Sequence, residues 1–169
     1  AQMAGPVAFY DAADAPSSGA SGDSVEIVTE MVRANYPHTI LTSVVDPAAV
    51  AKAHEVGVGE TFTMGVGGAL DSRFAPLKLD WTVQSIANNS NIKMETWKFR
   101  LNPGPTAVLV SGNLTAVAMT KSLMMVDRTV FFDNGCDPKN YHSTIIKTPH
   151  AEPEFFDNWV EAKFNVDAI

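Results

Sequence analysis

The chain has 169 residues, of which 46% are hydrophobic and 18% charged, so its size and composition are those of one globular domain with its own core. A formal net charge of −7 argues against nucleic acid or an anionic membrane surface as a partner, because both bind positive surfaces. No apolar run reaches the length of a membrane span, no leader segment is apparent, and the single cysteine, Cys136, excludes an internal disulfide; we therefore expect a cytoplasmic protein.

The first part of the chain predicts parallel βαβ units. The apolar run 7–10 predicts a strand, and apolar residues at helical spacing over 25–32 predict a helix that begins near Gly22. A β-branched run at 39–45 predicts a second strand. The stretch 46–57 predicts a second helix, because it opens with Asp-Pro and closes on glycine. Alternating strands and helices of this kind favour a parallel sheet.

The middle of the chain changes to an antiparallel pattern. Apolar and polar residues alternate over 60–68 and 77–86, as they do in half-buried strands, and 106–122 predicts a hairpin. The last third predicts helices at 128–135 and 152–162 and strands at 143–148 and 164–168. The sequence therefore predicts a single α/β domain over 1–169, with a mixed sheet that combines parallel βαβ units and an antiparallel hairpin insertion.

The loop between the first strand and the first helix is the candidate site. It reads DAADAPSSGASGDS over 11–24, so small residues surround Asp11, Asp14 and Asp23. Small residues ahead of a helix let a ligand approach the backbone closely. A phosphate-binding P-loop, however, requires a lysine where this loop has Asp23, and a carboxylate would repel phosphate. The loop is therefore not a nucleotide site.

The three aspartates have different interpretations. Asp23 and Glu26 have the spacing of a capping box, which predicts that Asp23 caps the first helix. Asp11 and Asp14 follow a parallel strand, and α/β folds bind ligands at the carboxyl ends of such strands. They could hold a hard cation, position a substrate amine, or fix the loop through backbone hydrogen bonds. These three alternatives stay open at this point.

A second candidate element lies near the end of the chain. The strand predicted at 143–148 brings Lys147, and then His150, to its carboxyl end. If this strand lies close to the first one, Lys147 could meet Asp11 or Asp14. The alternative is a lysine that is simply solvated at a strand end.

Three separated blocks together resemble the C-terminal domain of the MlrC family, a family of proposed metallopeptidases named after microcystinase C. The family's loop D-x-x-D-N-P-x-G-G-x-x-G-D-S resembles residues 11–24. The block 46–68 resembles the next one, in which an Asp-Pro helix leads to Gly-Val-Gly and then Gly-Gly. The block 144–168 resembles the closing one, in which a lysine ends a strand. Two departures lie in the loop: Ala15 replaces the family's asparagine, and the glycine run is thinned to Ser17-Ser18-Gly19.

The resemblance implies an accessory domain that is not catalytic alone. In the family, the zinc ligands lie in a larger N-terminal domain, and no segment here resembles that domain. This chain is then expected to hold no metal or cofactor and to have that N-terminal domain as partner, with a homo-oligomer as a further partner. Its early loop would face the substrate or the other domain. The residues so assigned are Asp11, Asp14, Ser18, Gly19, Ser21, Gly22, Asp23, Ser24, Lys147 and His150.

A rival interpretation is a self-sufficient small-molecule or cation-binding domain that uses Asp11, Asp14 and Asp23. It predicts that the three carboxylates converge on one point, because a hard cation is held by several oxygens at about 2.4 Å.

Overall fold

The computed structural model describes residues 5–88, 91–149, 156 and 158–166. Its strands are β1 (Val7–Tyr10), β2 (Ile40–Val45), β3 (Thr61–Val66), β4 (Leu77–Ala87), β5 (Ile92–Lys93), β6 (Arg100–Leu101), β7 (Thr106–Ser111), β8 (Leu114–Met119), β9 (Ser143–Ile146) and β10 (Ala162–Asn165). Its helices are α1 (Glu26–Arg33), α2 (Pro47–Val56) and α3 (Thr129–Asp133), with 3-10 turns at Pro16–Ser18 and Pro138–Asn140.

Eight strands form one mixed sheet in the order β10-β1-β9-β2-β8-β7-β4-β3. The five strands from β10 to β8 run parallel to one another. The strands β8, β7, β4 and β3 pair antiparallel, and β5 and β6 form a separate two-stranded ribbon. The predicted α/β class, with parallel units and an antiparallel insertion in a mixed sheet, is confirmed.

The register of the parallel strands creates one shared carboxyl edge. Tyr10 of β1 lies beside Ile146 of β9, and Val45 of β2 lies beside Met119 of β8. The loop 11–24 and the residue after β9 therefore leave the sheet at the same edge. Ligand sites of α/β proteins are found at such edges.

The two faces of the sheet are covered differently. The helical face, under α1 and α2, buries the side chains of Val25, Val28, Ile40, Val44, Val50, Phe62, Trp81 and Leu109. The loop face, under α3 and irregular segments, buries those of Tyr10, Leu41, Met94, Met119, Phe131, Ile146, Phe156 and Trp159. Each such side chain contributes about 1.5–3 kcal/mol when it is fully buried.

Helix α2 begins and ends as its sequence predicts. The Asp46 side chain accepts a hydrogen bond from the amide of Ala49 at 2.9 Å, Pro47 occupies the first turn, and Gly57 ends the helix. Proline suits the first turn because its missing N–H would have no helical partner there.

The hairpin of β3 and β4 folds back over the helical face. Trp81 of β4 is buried there, and its indole N–H donates to the backbone of β3. The tip of the hairpin reaches the carboxyl edge, where the amide of Gly67 donates to the Asp46 carboxylate at 2.9 Å and that of Gly68 to the Asp23 carbonyl at 2.8 Å. Strand patterns predicted the two strands of this hairpin, but not the return of its tip to the loop.

Several predicted boundaries differ from the structure. Strand β10 spans Ala162–Asn165, whereas the predicted strand is 164–168, of which 167 and 168 lie outside the described residues. Helix α1 begins at Glu26, a full turn later than predicted, because Gly22, Asp23 and Ser24 bond to other parts of the edge. The helix predicted at 152–162 falls mostly outside the described residues, and its described end, 158–161, is a turn followed by β10. Within the described ranges, no helix is long and apolar enough to span a bilayer.

Candidate functional site

Asp14 is the centre of the early loop. Its side chain is fully buried. One carboxylate oxygen accepts from the amide of Gly22 at 2.8 Å, and the other accepts from the amide of Ser24 at 2.7 Å. The carboxylate thus ties the end of the loop back to its beginning. A charged acceptor makes stronger bonds to backbone amides than a neutral one does.

Lys147 meets this carboxylate from the neighbouring strand. Its ammonium lies 2.7 Å from Asp14 Oδ2 and also donates to the carbonyl of Ser24, and its side chain is 2% exposed. The prediction that Lys147 approaches Asp14 is confirmed, because β9 pairs directly with β1. The alternative of a solvated lysine is wrong. The two charges neutralise each other where water is excluded, and such a pair is stable only with further hydrogen bonds of the kind seen here.

Asp23 does not cap α1, so the capping-box prediction is wrong. The residue at the N-cap position is Val25, whose side chain makes no capping hydrogen bond, and the amide of Glu26 donates to the Ser24 hydroxyl at 3.4 Å. The Asp23 carboxylate instead accepts from the amides of Leu70 at 2.6 Å and Asp71 at 3.1 Å, at the tip of the β3–β4 hairpin. The Ser21 hydroxyl donates to its other oxygen. Asp23 therefore holds two loops together.

The remaining predicted residues divide into a buried and an exposed group. Asp11 is 2% exposed and accepts from the amide of Asp14 at 3.2 Å, which fixes the start of the loop. Ser18 and Gly19 lie at the exposed end of the 3-10 turn, where Gly19 has a φ of 91° that favours glycine. His150 lies outside the described residues. The structure thus brings together Asp11, Asp14, Ser21, Gly22, Asp23, Ser24 and Lys147.

These carboxylates do not fit a metal ion. Both oxygens of Asp14 face N–H donors, and one of them also faces the ammonium of Lys147, which would repel a cation. Both oxygens of Asp23 accept hydrogen bonds as well. In the described part of the chain, no group of three or more His, Cys, Asp or Glu side chains is placed to hold a metal. The carboxylates of Asp14 and Asp23 are therefore not arranged as ligands for the zinc that the family implies.

A basic residue that sequence reasoning missed lies beside the loop. Arg73, at the hairpin tip, forms a bidentate ion pair with the Asp71 carboxylate, with N–O distances of 2.6–3.1 Å. Hydrogen bonds from Arg73 hold the pKa of Asp71 below its ordinary value. Asp71 chiefly raises the pKa of Arg73, and the charges of Asp14 and Asp23 raise it further. No local motif signals this residue, because only the folded hairpin brings it near the aspartates.

Exposed aromatic residues extend the same edge. The segment between β4 and β7 leaves the sheet at Ala87 and returns at Thr106, which pairs with Ala87 at the carboxyl edge. Trp97 and Phe99 on this segment are 44% and 42% exposed and stack with ring centroids 5.9 Å apart. Buried Asp127 holds the ribbon by accepting from the amide of Thr96 at 2.9 Å. Large aromatic side chains displayed on a fixed backbone are typical of contact surfaces.

Comparisons with known proteins agree on one family. The family model described as "MlrC C-terminus" matches residues 9–167. Microcystinase C from Sphingomonas sp. is 31% identical over 90 residues, which make up 53% of this chain and 18% of that protein. The crystal structure of a proposed metallopeptidase from Mesorhizobium sp. BNC1 superposes with a TM-score of 0.85 and 26% identity over 96% of this chain and 33% of that one. The chain thus matches only a minor part of the length of either protein.

Proposed function

This chain belongs to the MlrC C-terminal family, and from that premise we propose that it is the accessory domain of a metal-dependent hydrolase, a metallopeptidase or amidohydrolase, and is not catalytic alone. In this proposal the metal and the reacting groups belong to an N-terminal domain. The present chain supports that domain and supplies loops to a shared cleft.

The buried pair of Asp14 and Lys147 carries the proposal. A catalytic carboxylate or lysine needs a free face toward its substrate. Here the polar atoms of both side chains are occupied by the chain itself, and both side chains are closed to solvent. A network of this kind fixes backbone geometry and performs no proton transfer. The loop 11–24 is therefore a rigid platform.

The exposed parts of the carboxyl edge support a contact with another domain. Leu70 at the hairpin tip is 53% exposed, and the guanidinium of Arg73 points outward beside it. Ser18 and Gly19 are exposed on the neighbouring loop, and Ser122 joins this loop by donating to the Ser21 carbonyl at 3.2 Å. Small, apolar and cationic groups that are exposed on a rigid loop are better suited to contact another domain than to enclose a small ligand.

The cellular location remains the one that the sequence predicts. A cytoplasmic location is consistent with the free, buried thiol of Cys136, because cytoplasmic proteins keep their thiols reduced.

The first test is metal content and hydrolysis by the purified chain. Elemental analysis after dialysis, with and without added zinc, should find no stoichiometric metal in the parent or in an Asp14→Asn variant. A panel of peptide and amide substrates should show no turnover by either. Near-stoichiometric metal that the variant loses would establish the rival cation-binding domain, and turnover by the parent would contradict the proposal that this chain is not catalytic alone.

A chimera tests the supporting role. The third of the Mesorhizobium protein that superposes on this chain would be replaced by this chain. We expect the chimera to keep the metal content of its parent, and to lose it when Lys147→Met disrupts the platform. A chimera that folds but loses its metal without any further mutation would contradict the proposed role.

A further inference from the structure

The two outer strands of the sheet are protected differently. Strand β10, at one side, contains Lys163 and is preceded by Glu161. Strand β3, at the other side, is also preceded by a glutamate, Glu60, but the strand itself reads TFTMGV over Thr61–Val66 and contains neither a charged residue nor a proline. Edge strands of proteins that remain single are usually guarded by charges, prolines or bulges, because their free N–H and C=O groups can pair with another strand. The unguarded edge of β3 is therefore expected to have a partner.

A groove lies beside this strand. It has a volume of about 420 Å³ and runs between β3 and the outer surface of α2. Its walls are Ala48, Ala51, Lys52 and Glu55 of the helix and Thr63 and Met64 of the strand.

The helical wall of the groove is small and electrically neutral. Its four residues follow the spacing i, i+3, i+4 and i+7, so they form one stripe along α2. Ala48 and Ala51 are exposed and let another backbone approach closely. Lys52 and Glu55 lie 3.1 Å apart, so the stripe has one charge of each sign.

We propose that this surface binds a second copy of the chain, with β3 pairing antiparallel to β3 of the other copy across a two-fold axis. The two sheets then join into one, and the two α2 helices meet through the part of the stripe that contains Ala51, Lys52 and Glu55. In an antiparallel helix pair centred between positions 52 and 55, Lys52 of each copy lies opposite Glu55 of the other. The surface is thus complementary to itself, as a two-fold contact requires.

Electrostatics favour a second copy at this place. Two chains that each carry −7 repel over most of their surfaces. The stripe on α2 is locally neutral, and its charges attract when the two copies are antiparallel. This inference goes beyond the proposed function, because it concerns a surface on α2 and β3 and does not depend on the carboxyl edge.

Sedimentation equilibrium of the purified chain tests the proposal. The parent should sediment with twice the 18.2 kDa of one chain at micromolar concentration. Lys52→Glu places like charges opposite one another in the dimer, and so does Glu55→Lys. Each variant alone should therefore dimerise roughly tenfold more weakly or worse. An equimolar mixture of the two should restore the dimer, because each mutated charge then faces its opposite.

A second pair of variants separates the contact from general effects of charge. Ala51→Glu should abolish the dimer, whereas Ala34→Glu, an exposed alanine at the end of α1, should leave it intact. Circular dichroism should show that all variants are folded. A monomeric parent would overturn the proposal, as would a dimer that withstands Ala51→Glu or a mixture of charge variants that stays monomeric. If the parent is monomeric, the partner of the β3 edge would instead be another part of a longer protein.

Discussion

At the scale of single residues, the main feature is a buried lysine that serves a loop made at the other end of the chain. Lys147 and Asp14 are separated by 133 positions, yet they form one buried ion pair. Burying two charges is costly, and the pair is maintained because the carboxylate also accepts from two backbone amides. Removing either charge leaves the other buried without its counterion.

We therefore expect Lys147→Met to destabilise the fold by about 3–5 kcal/mol, the usual cost of leaving one charge of a buried pair without its partner. Urea denaturation would measure the change in the free energy of unfolding. Lys78→Met, at an exposed position of β4, is the matched control and should change it by less than about 0.5 kcal/mol.

The double variant Lys147→Met/Asp14→Asn checks the electrostatic origin of this loss. It should be more stable than Lys147→Met alone, because it leaves no unpaired carboxylate. A double variant that is less stable than the single one would show that the hydrogen bonds which Asp14 accepts from the amides of Gly22 and Ser24 outweigh the cost of its unpaired charge.

Cys136 gives a second prediction at this scale. The thiol is 1% exposed, and burial raises its pKa above the ordinary value near 9.0. A raised pKa means that the folded state holds the proton longer than the unfolded state does. The buried, protonated thiol therefore adds to the free energy of unfolding. This contribution is fully present below about pH 9 and is lost as pH rises through the pKa of the folded state.

The expected result is a fall in the free energy of unfolding above about pH 9 that is smaller in Cys136→Ala. Tyr141, whose pKa burial also raises, adds its own loss at higher pH in both proteins. At pH 8 a thiol reagent should label the folded parent far more slowly than the urea-unfolded parent. Equally rapid labelling of both would contradict the burial of the thiol.

At the scale of elements, the β3–β4 hairpin determines the shape of the candidate site. Its tip supplies two amides to Asp23, an amide to Asp46, and the guanidinium of Arg73. Gly67 makes this approach possible, with a φ of 78°. An added Cβ there would lie 2.6 Å from a methyl group of Val25 and 2.7 Å from the carbonyl of Asp23.

Gly67→Ala should therefore destabilise the protein by more than its backbone strain alone, which is about 1–2 kcal/mol for a residue in the left-handed region. Gly59→Ala is the matched control, because Gly59 has a φ of 90° but no atom within 4 Å of the added Cβ. The difference between the two unfolding free energies isolates the close approach of the hairpin tip to the loop. Equal losses would mean that the tip can move aside at no cost.

Local patterns predicted the elements of this site and not their connections. β-Branched and alternating runs predicted the strands, and the position of Lys147 after a strand predicted its meeting with Asp14. The assignment of Asp23 was wrong, because the capping pattern is local, whereas its real partners, Leu70 and Asp71, come 47 and 48 positions later. The role of Arg73 could not be predicted for the same reason.

At the scale of the whole molecule, the fold class followed from the order of strand and helix patterns, but the order of strands in the sheet did not. The sequence periodicity of β1 is the same whichever strands flank it. Its neighbours, β9 and β10, are chosen by packing across the sheet. The family resemblance extended the prediction from the fold class to the protein family. The match of the family model to residues 9–167 confirms the family.

The overall charge gives a prediction for the proposed dimer. Two copies with −7 each repel at low ionic strength, and added salt screens this repulsion. Raising the salt concentration from about 10 mM to 150 mM shortens the screening length from roughly 30 Å to 8 Å. Dimerisation measured by sedimentation should therefore become stronger. Weaker dimerisation would show that the ion pairs of Lys52 and Glu55 outweigh the net charge.

The place of β1 in the sheet also has a consequence during synthesis. The first strand of this domain to leave the ribosome lies between the last two described strands of the domain, β9 and β10. The nascent chain must therefore carry Val7–Tyr10 without its final neighbours until nearly the whole domain has been translated. The buried charges of the early loop acquire their counterion equally late, since Lys147 directly follows β9. A translating ribosome thus presents an unpaired apolar strand followed by an acidic loop, and chaperones that cover such strands would act on this domain until its last strands have been synthesised.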